Sequence, residues 1–164
     1  MADPHPTDGP LKIDEILPIL NDISIFGGLT NEQLAAVFAV LERTHYAKGE
    51  FVFEEGDPPS DIYIVQKGSV ELVLEVDGDY LAQTVFPVGH CFGETAVIGI
   101  ERHTAGAVAK EDTDLIVLPR EGLFGLWDTD KELFGMLILN IAREACRRLH
   151  NVDEALLHYF DQRH

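Results

Sequence analysis

Phe92-Gly93-Glu94-Thr95-Ala96-Val97-Ile98-Gly99-Ile100-Glu101-Arg102-His103-Thr104-Ala105 interrupts a succession of strand-like segments with one turn of helix and a loop of small residues. Gly93 permits close backbone approach, and Ala96, Thr104 and Ala105 leave room for a ligand. A short helical turn offers unpaired N–H groups and the positive end of its dipole to an anion. The carboxylate of Glu94 repels phosphate but accepts hydrogen bonds from a sugar hydroxyl. Charge-assisted bonds of that kind contribute roughly 1.5–3 kcal/mol, enough to select a ligand.

Outward from this run the pattern is strand-like. Phe51 and Phe53, then Ile62, Ile64, Val70, Leu72 and Leu74, alternate with other residues. Turn signals recur at Lys48-Gly49, Glu55-Gly56-Asp57-Pro58-Pro59, Lys67-Gly68, Asp77-Gly78 and Pro87-Val88-Gly89. That rhythm belongs to a sandwich or barrel of short antiparallel strands. Asp77-Gly78, between Val73–Val76 and Tyr80–Val85, predicts a two-residue hairpin. Strands resume at Gly106–Ala109 and Leu115–Leu118, where Pro119 ends the run. No parallel βαβ alternation is present.

Both ends read as helical. Residues 1–10 are polar, acidic and Pro-rich, and predict a disordered arm rather than a signal. Residues 11–45 predict helices, with a break at Pro18 and at Gly27-Gly28. Thr30-Asn31-Glu32-Gln33 matches a capping box, and Leu34, Val37, Phe38 and Leu41 form one apolar face that closes near Glu42-Arg43. Strands are expected over 46–119 and a short helix over 121–127. Thr129-Asp130-Lys131-Glu132 is a second capping box, opening a long helix over 129–160. Within it Ile138, Ala142, Ala145, Leu149, Val152, Leu156 and Tyr159 make a heptad seam. That seam predicts either a homodimer or packing on the β-core.

Composition excludes several classes. At 46% hydrophobic and 25% charged, the 164 residues suit one ordinary globular domain. A formal net charge of −17 repels a phosphate backbone, so nucleic-acid binding is not expected. No apolar segment approaches the ~20 residues a membrane span requires, so no membrane insertion is expected. The two cysteines, Cys91 and Cys146, sit among apolar residues and read as buried thiols in a reducing cytoplasm. The seven histidines are scattered with no His-x-His pair and carboxylate, which argues against a metal site and against a cupin-type enzyme. No cofactor is expected.

The run from Phe92 to Ala105 resembles the phosphate-binding cassette of the cyclic-nucleotide-binding domain family. That family includes catabolite activators, protein kinase A regulatory subunits and cyclic-nucleotide-gated channels. Its pattern is Phe-Gly-Glu, small and aliphatic residues, then Arg and a Thr/Ser/Ala-Ala pair. The resemblance extends over nearly the whole chain. It includes Ile25-Phe26, Leu29-Thr30, Ala47-Lys48-Gly49-Glu50, Glu55-Gly56-Asp57, Ile62-Tyr63-Ile64-Val65, Lys67-Gly68-Ser69-Val70, Ala142-Arg143 and Arg147-Arg148-Leu149. It implies a mainly β fold: an antiparallel jelly roll, a cupin-like barrel, with N-terminal helices and a long C-terminal helix lying over the bound base.

The resemblance also implies roles. The site would be built on Phe92, Gly93, Glu94, Thr95, Ala96 and Val97, then Arg102, His103, Thr104 and Ala105. Glu94 would take the ribose 2′-hydroxyl of cAMP or cGMP, assisted by the Gly93 backbone. Backbone N–H groups around Ala96, Val97 and Ala105 would cradle the cyclic phosphate. Thr104 matches a hydroxyl of channel-type members that is linked to cyclic GMP responses. Val70 and Thr84 fall where bacterial activators line the base, and Asp153 falls near the hydroxyl pair that reads adenine there.

The chain departs from the family at one decisive position. Nine residues after Glu94 stands His103, not Arg, and Arg102 sits one earlier. Histidine cannot reproduce the always-charged arginine fork. Three readings follow: Arg102 swings in, His103 binds as imidazolium, or the pocket no longer holds cyclic nucleotides tightly. The first two predict a regulatory module whose C-terminal helix moves on binding to alter dimer or protein-effector contacts. The third predicts a ligand-independent interaction module.

Overall fold

The computed structural model describes residues 8–161, which form eight β-strands with helices before and after them. The strands are β1 Glu42–Tyr46, β2 Phe51–Phe53, β3 Ile62–Lys67, β4 Val70–Val76, β5 Asp79–Phe86, β6 Cys91–Phe92, β7 Gly106–Ala109 and β8 Thr113–Leu118. They pair first with last: β1 with β8, β2 with β7, β3 with β6 and β4 with β5, all antiparallel. The strands thus behave as one long hairpin, wrapped into two four-stranded sheets of order β1-β8-β3-β6 and β2-β7-β4-β5. This is the expected jelly roll. Its central turn is Asp77-Gly78, with φ +55° and +87°, as a two-residue hairpin twisting with its strands requires.

Alternation along β3 and β8 builds two cores. Tyr63, Val65, Leu115 and Val117 point between the sheets, where they meet Phe53, Phe86 and Phe92. Ile62, Ile64, Ile116 and Leu118 point the other way, into the helices. Buried on both faces, these strands read as unbroken apolar runs.

Among the described residues there are five α-helices: α1 Ile13–Ile16, α2 Asn31–Phe38, α3 Glu94–Gly99, α4 Arg120–Thr129 and α5 Lys131–Asp161. Pro18 lies in the first turn of a 3-10 segment, Leu17–Asp22, that continues α1. The capping box at Thr30 is formed in both directions, at 2.9 and 3.2 Å. Among the described residues no helix is long and apolar enough to cross a membrane.

Four local expectations are corrected. The N-terminal helical region does not reach residue 45, because α2 ends at Phe38 and Glu42–Tyr46 is already a strand. Leu41 kept the helical spacing but is buried from the turn that follows, and the polar strand β1 is held by pairing with apolar β8. The predicted arm over 1–10 is docked where it is described. Asp8 N–H donates to the Arg43 carbonyl at 2.8 Å, Arg43 N–H to Gly9 at 3.3 Å, and Pro10 bridges Glu42 on the free edge of β1. Residues 1–7 of that reading lie outside the described residues. The second cap is Asp130, whose carboxylate takes the Leu133 N–H at 3.0 Å, since α4 still occupies Thr129. Cys91 is buried, but Cys146 is exposed on α5.

Candidate functional site

Strand β6 pairs with β3, Phe92 opposite Tyr63, and so fixes the start of the Phe92–Ala105 run against the aromatic core. Phe92 stacks on Tyr63 at 5.3 Å and on Phe86 at 5.6 Å. Gly93 then turns the chain with φ +85°, and a Cβ there would lie 2.8 Å from the Asp61 carbonyl. Both facts restrict this position to glycine. Helix α3 follows at once, so Glu94 is delivered inward and is 1% exposed. Ala96, Val97 and Ala105 are buried, whereas Thr95 and Thr104 are exposed.

The carboxylate of Glu94 forms an ion pair with Arg148 of α5. Among the described residues neither Glu94 oxygen has a hydrogen-bond partner. The Arg148 guanidinium lies 5.2 Å from the centre of the Phe86 ring. Burial pulls its pKa down, opposed by the neighbouring Cys91 thiol. Burial in turn pushes Cys91 up to about 11, so this thiol is protonated and unreactive at neutral pH.

The second half of the run is arranged differently. Arg102 is exposed, and its Nη1 donates to the Gly56 carbonyl at 2.7 Å. His103 is 5% exposed, and its ring stacks on Phe53 with centroids 3.6 Å apart and planes 13° apart. Its Nε2 lies 3.4 Å from the Ser60 hydroxyl. The backbone around it is locked, with His103 N–H donating to Asp57 at 2.9 Å and Gly56 N–H donating to His103 at 2.8 Å. Burial lowers the imidazole pKa, against a smaller opposing pull from Asp57. At neutral pH His103 is an uncharged aromatic plate in the core.

A cleft of about 480 Å³ lies between α5, strand β5 and the turn at Gly89-His90 that follows it. Thr84, Phe86, His90, Glu144, Arg147, Arg148 and Asn151 line it, with Asp22 and Ser24 at its far wall. Glu144 is desolvated there, which raises its pKa, but hydrogen bonds from Arg147 and Ser24 outweigh this and hold it below the ordinary value. Of the residues expected at the base, Thr84 lines this cleft. Val70 does not, being fully buried in the aromatic core, nor does Asp153, which is exposed on α5 beyond the lining residues.

Arg148 is the residue that sequence reasoning missed, although Arg147-Arg148-Leu149 stood out as a motif. Helical phase carries the signal. Leu133, Leu137, Ile141, Glu144 and Arg148 follow one another at steps of four, four, three and four, on the stripe that faces the core. Arg147 lies off that stripe. Among the described residues no group of three or more His, Cys, Asp or Glu could hold a metal ion.

A jelly roll with a buried cassette carboxylate and a long helix over it defines a class of small-ligand regulatory domains. The sequence profile of the cyclic nucleotide-binding domain matches residues 43–130, more than half of the chain. The chain belongs to the cyclic nucleotide-binding domain family. The cyclic AMP receptor protein of Thermus thermophilus is 29% identical over 130 residues, covering 79% of this chain and 58% of the receptor. A cGMP-dependent protein kinase of Caenorhabditis briggsae is 26% identical over 74% of this chain, but that stretch is 17% of the kinase. The crystal structure of the Thermus thermophilus catabolite activator protein superposes with a TM-score of 0.70, covering 81% of this chain and 61% of that one. A cyclic nucleotide-binding domain from Methylobacillus flagellatus shares the fold, with TM-score 0.77 and 23% identity over 88% of this chain and 82% of its own. The chain thus spans less than two thirds of the length of these curated relatives.

Proposed function

We propose that this chain is a cyclic-nucleotide-sensing regulatory module. Glu94 is the observation that carries the reading: a carboxylate 1% exposed, turned inward by Gly93, with one side-chain partner that belongs to a different element. An isolated buried carboxylate is costly, so a site that keeps one needs a polar group to meet it. The ribose 2′-hydroxyl of cAMP or cGMP is that group in the bound state. Backbone N–H groups near Ala96, Val97 and Ala105 face the cyclic phosphate, and the base extends toward Thr84 and α5. No further cofactor or metal takes part, and the chain works in the cytoplasm.

The output passes through α5. From Leu149 onward every described residue of this helix is exposed, including Leu149, Val152, Leu156 and Tyr159 of the heptad seam. A second copy of the chain covers that seam, or a protein effector does, and ligand changes the contact because it binds one arrangement of α5 better than the other. Titration calorimetry with cAMP and with cGMP tests the reading. Saturable binding of at least one in the micromolar range is expected, and absence of binding of both into the millimolar range overturns it.

A second reading has its own support. With His103 uncharged and stacked on Phe53, and Arg102 held on Gly56, neither offers its charge to a phosphate in this conformation. A ligand-independent interaction module predicts the same dimer and partners with and without nucleotide, which sedimentation in both conditions decides.

A further inference from the structure

The two halves of the cassette carry charge differently. In the first half the buried anion already has its cation, because Glu94 is ion-paired with Arg148. Arg147, the other guanidinium lining the cleft, is paired with Glu144. Arg102 is engaged at the surface, where its Nη1 donates to the Gly56 carbonyl at 2.7 Å.

His103 stands where a cation would meet a phosphate, and its surroundings make it an uncharged wall. The ring is 5% exposed and lies flat on Phe53, which itself contacts the rings of Tyr63 and Phe92. Backbone bonds to Asp57 and Gly56 hold the residue from both sides, so the loop does not carry the ring outward. The polar atoms beside it are neutral hydroxyls: Ser60 Oγ lies 3.4 Å from Nε2, and Tyr63 donates to the same oxygen at 3.4 Å. Burial also keeps the imidazole pKa below its ordinary value.

A cyclic phosphate brings a permanent negative charge into this setting. Burying a charge is costly unless a partner meets it, and a net charge of −17 on the chain adds repulsion. An uncharged ribonucleoside leaves the Glu94–Arg148 pair balanced and offers Glu94 the same ribose hydroxyl. In place of the phosphate it has a 5′-hydroxyl, which donates and accepts like the serine and tyrosine hydroxyls already on the wall.

We infer that this cassette reads its ligand as a ribonucleoside: ribose and base carry the affinity, and an uncharged nucleoside binds at least as tightly as its cyclic nucleotide. The inference rests on the ribose role given to Glu94, and His103 is the residue that sets the specificity.

Calorimetric titration of the whole chain at neutral pH with adenosine, cAMP, guanosine and cGMP tests it. For the base that binds, the nucleoside is expected to match or exceed the cyclic nucleotide, to within threefold. A cyclic nucleotide tighter by more than threefold overturns the inference and leaves the cyclic-nucleotide reading standing. Nucleoside binding alone upholds the inference and displaces the cyclic nucleotide as ligand. Absence of binding by all four into the millimolar range overturns both. The matching 2′-deoxynucleoside is expected to bind more than tenfold more weakly, and undiminished binding overturns the ribose role and the inference with it. His103→Arg is expected to move the preference about tenfold toward the cyclic nucleotide; an unchanged ratio overturns His103 as the specificity residue.

Discussion

The two halves of the Phe92–Ala105 run are neighbours in sequence and opposites in chemistry. The first half keeps a buried charge: Gly93 bends the chain, and Glu94 enters with 1% of its surface exposed. The second half removes one, since His103 enters as a neutral ring packed on Phe53 while Arg102 stays outside on the Gly56 carbonyl. One run thus buries a carboxylate in its first half and a neutral ring in its second. In this conformation the ion pair to Glu94 comes from α5, an element remote in sequence, and its cation is Arg148. Local geometry and local charge are separable features of such a site.

That contrast can be broken from either side. The largest effect belongs to Glu94→Ala, which removes the acceptor proposed for the ribose hydroxyl. Cyclic-nucleotide affinity is expected to fall by more than tenfold, about 1.4 kcal/mol or more, in a calorimetric titration. An unchanged affinity would show that the ligand does not use the first half. His103→Arg restores a charge to the second half. Affinity for the cyclic nucleotide is expected to rise by about tenfold relative to the nucleoside lacking phosphate, within the range of charge-assisted bonds. Equal gains for both ligands would place the phosphate elsewhere.

The smallest effect is the pH response of the neutral ring. Burial sets the folded pKa of His103 below its ordinary 6.5. Between those two values the unfolded chain binds a proton that the folded chain refuses, so stability falls as pH drops below 6.5 and is untouched above it. Denaturant unfolding from pH 5 to pH 8 should show this acid-side slope, and His103→Phe, which keeps the stack, should flatten it. His45 runs the other way, because its hydrogen bond to Asp114 raises its pKa. Its contribution is present below 6.5 and lost as pH rises through the folded value, and at an exposed pair it is small.

Much of the fold was legible because it is written in short-range patterns. Alternating Ile62, Ile64, Ile116 and Leu118, the Asp77-Gly78 turn and the Thr30 capping box each depend on residues a few positions apart. The strand Glu42–Tyr46 was not legible. Its polar residues show no apolar alternation, and its pairing with β8 joins Tyr46 to Thr113. The docking of residues 8–10 on that strand's edge escaped for the same reason. In the site, Gly93 and Glu94 could be assigned from the cassette pattern, but Val70 and Asp153 could not be placed, since the cleft depends on how α5 crosses β5.

The amino-acid sequence by itself determined the jelly roll, the family, and the presence of an inward carboxylate beside a substituted arginine position. These follow from periodicity, turn chemistry and motif spacing, all local along the chain. Tertiary structure alone decided that His103 is buried and uncharged, that Arg102 faces the Gly56 carbonyl, and that Arg148 meets Glu94. The physical reason is that burial and ion pairing depend on distance in space, and 54 positions of chain separate Glu94 from Arg148.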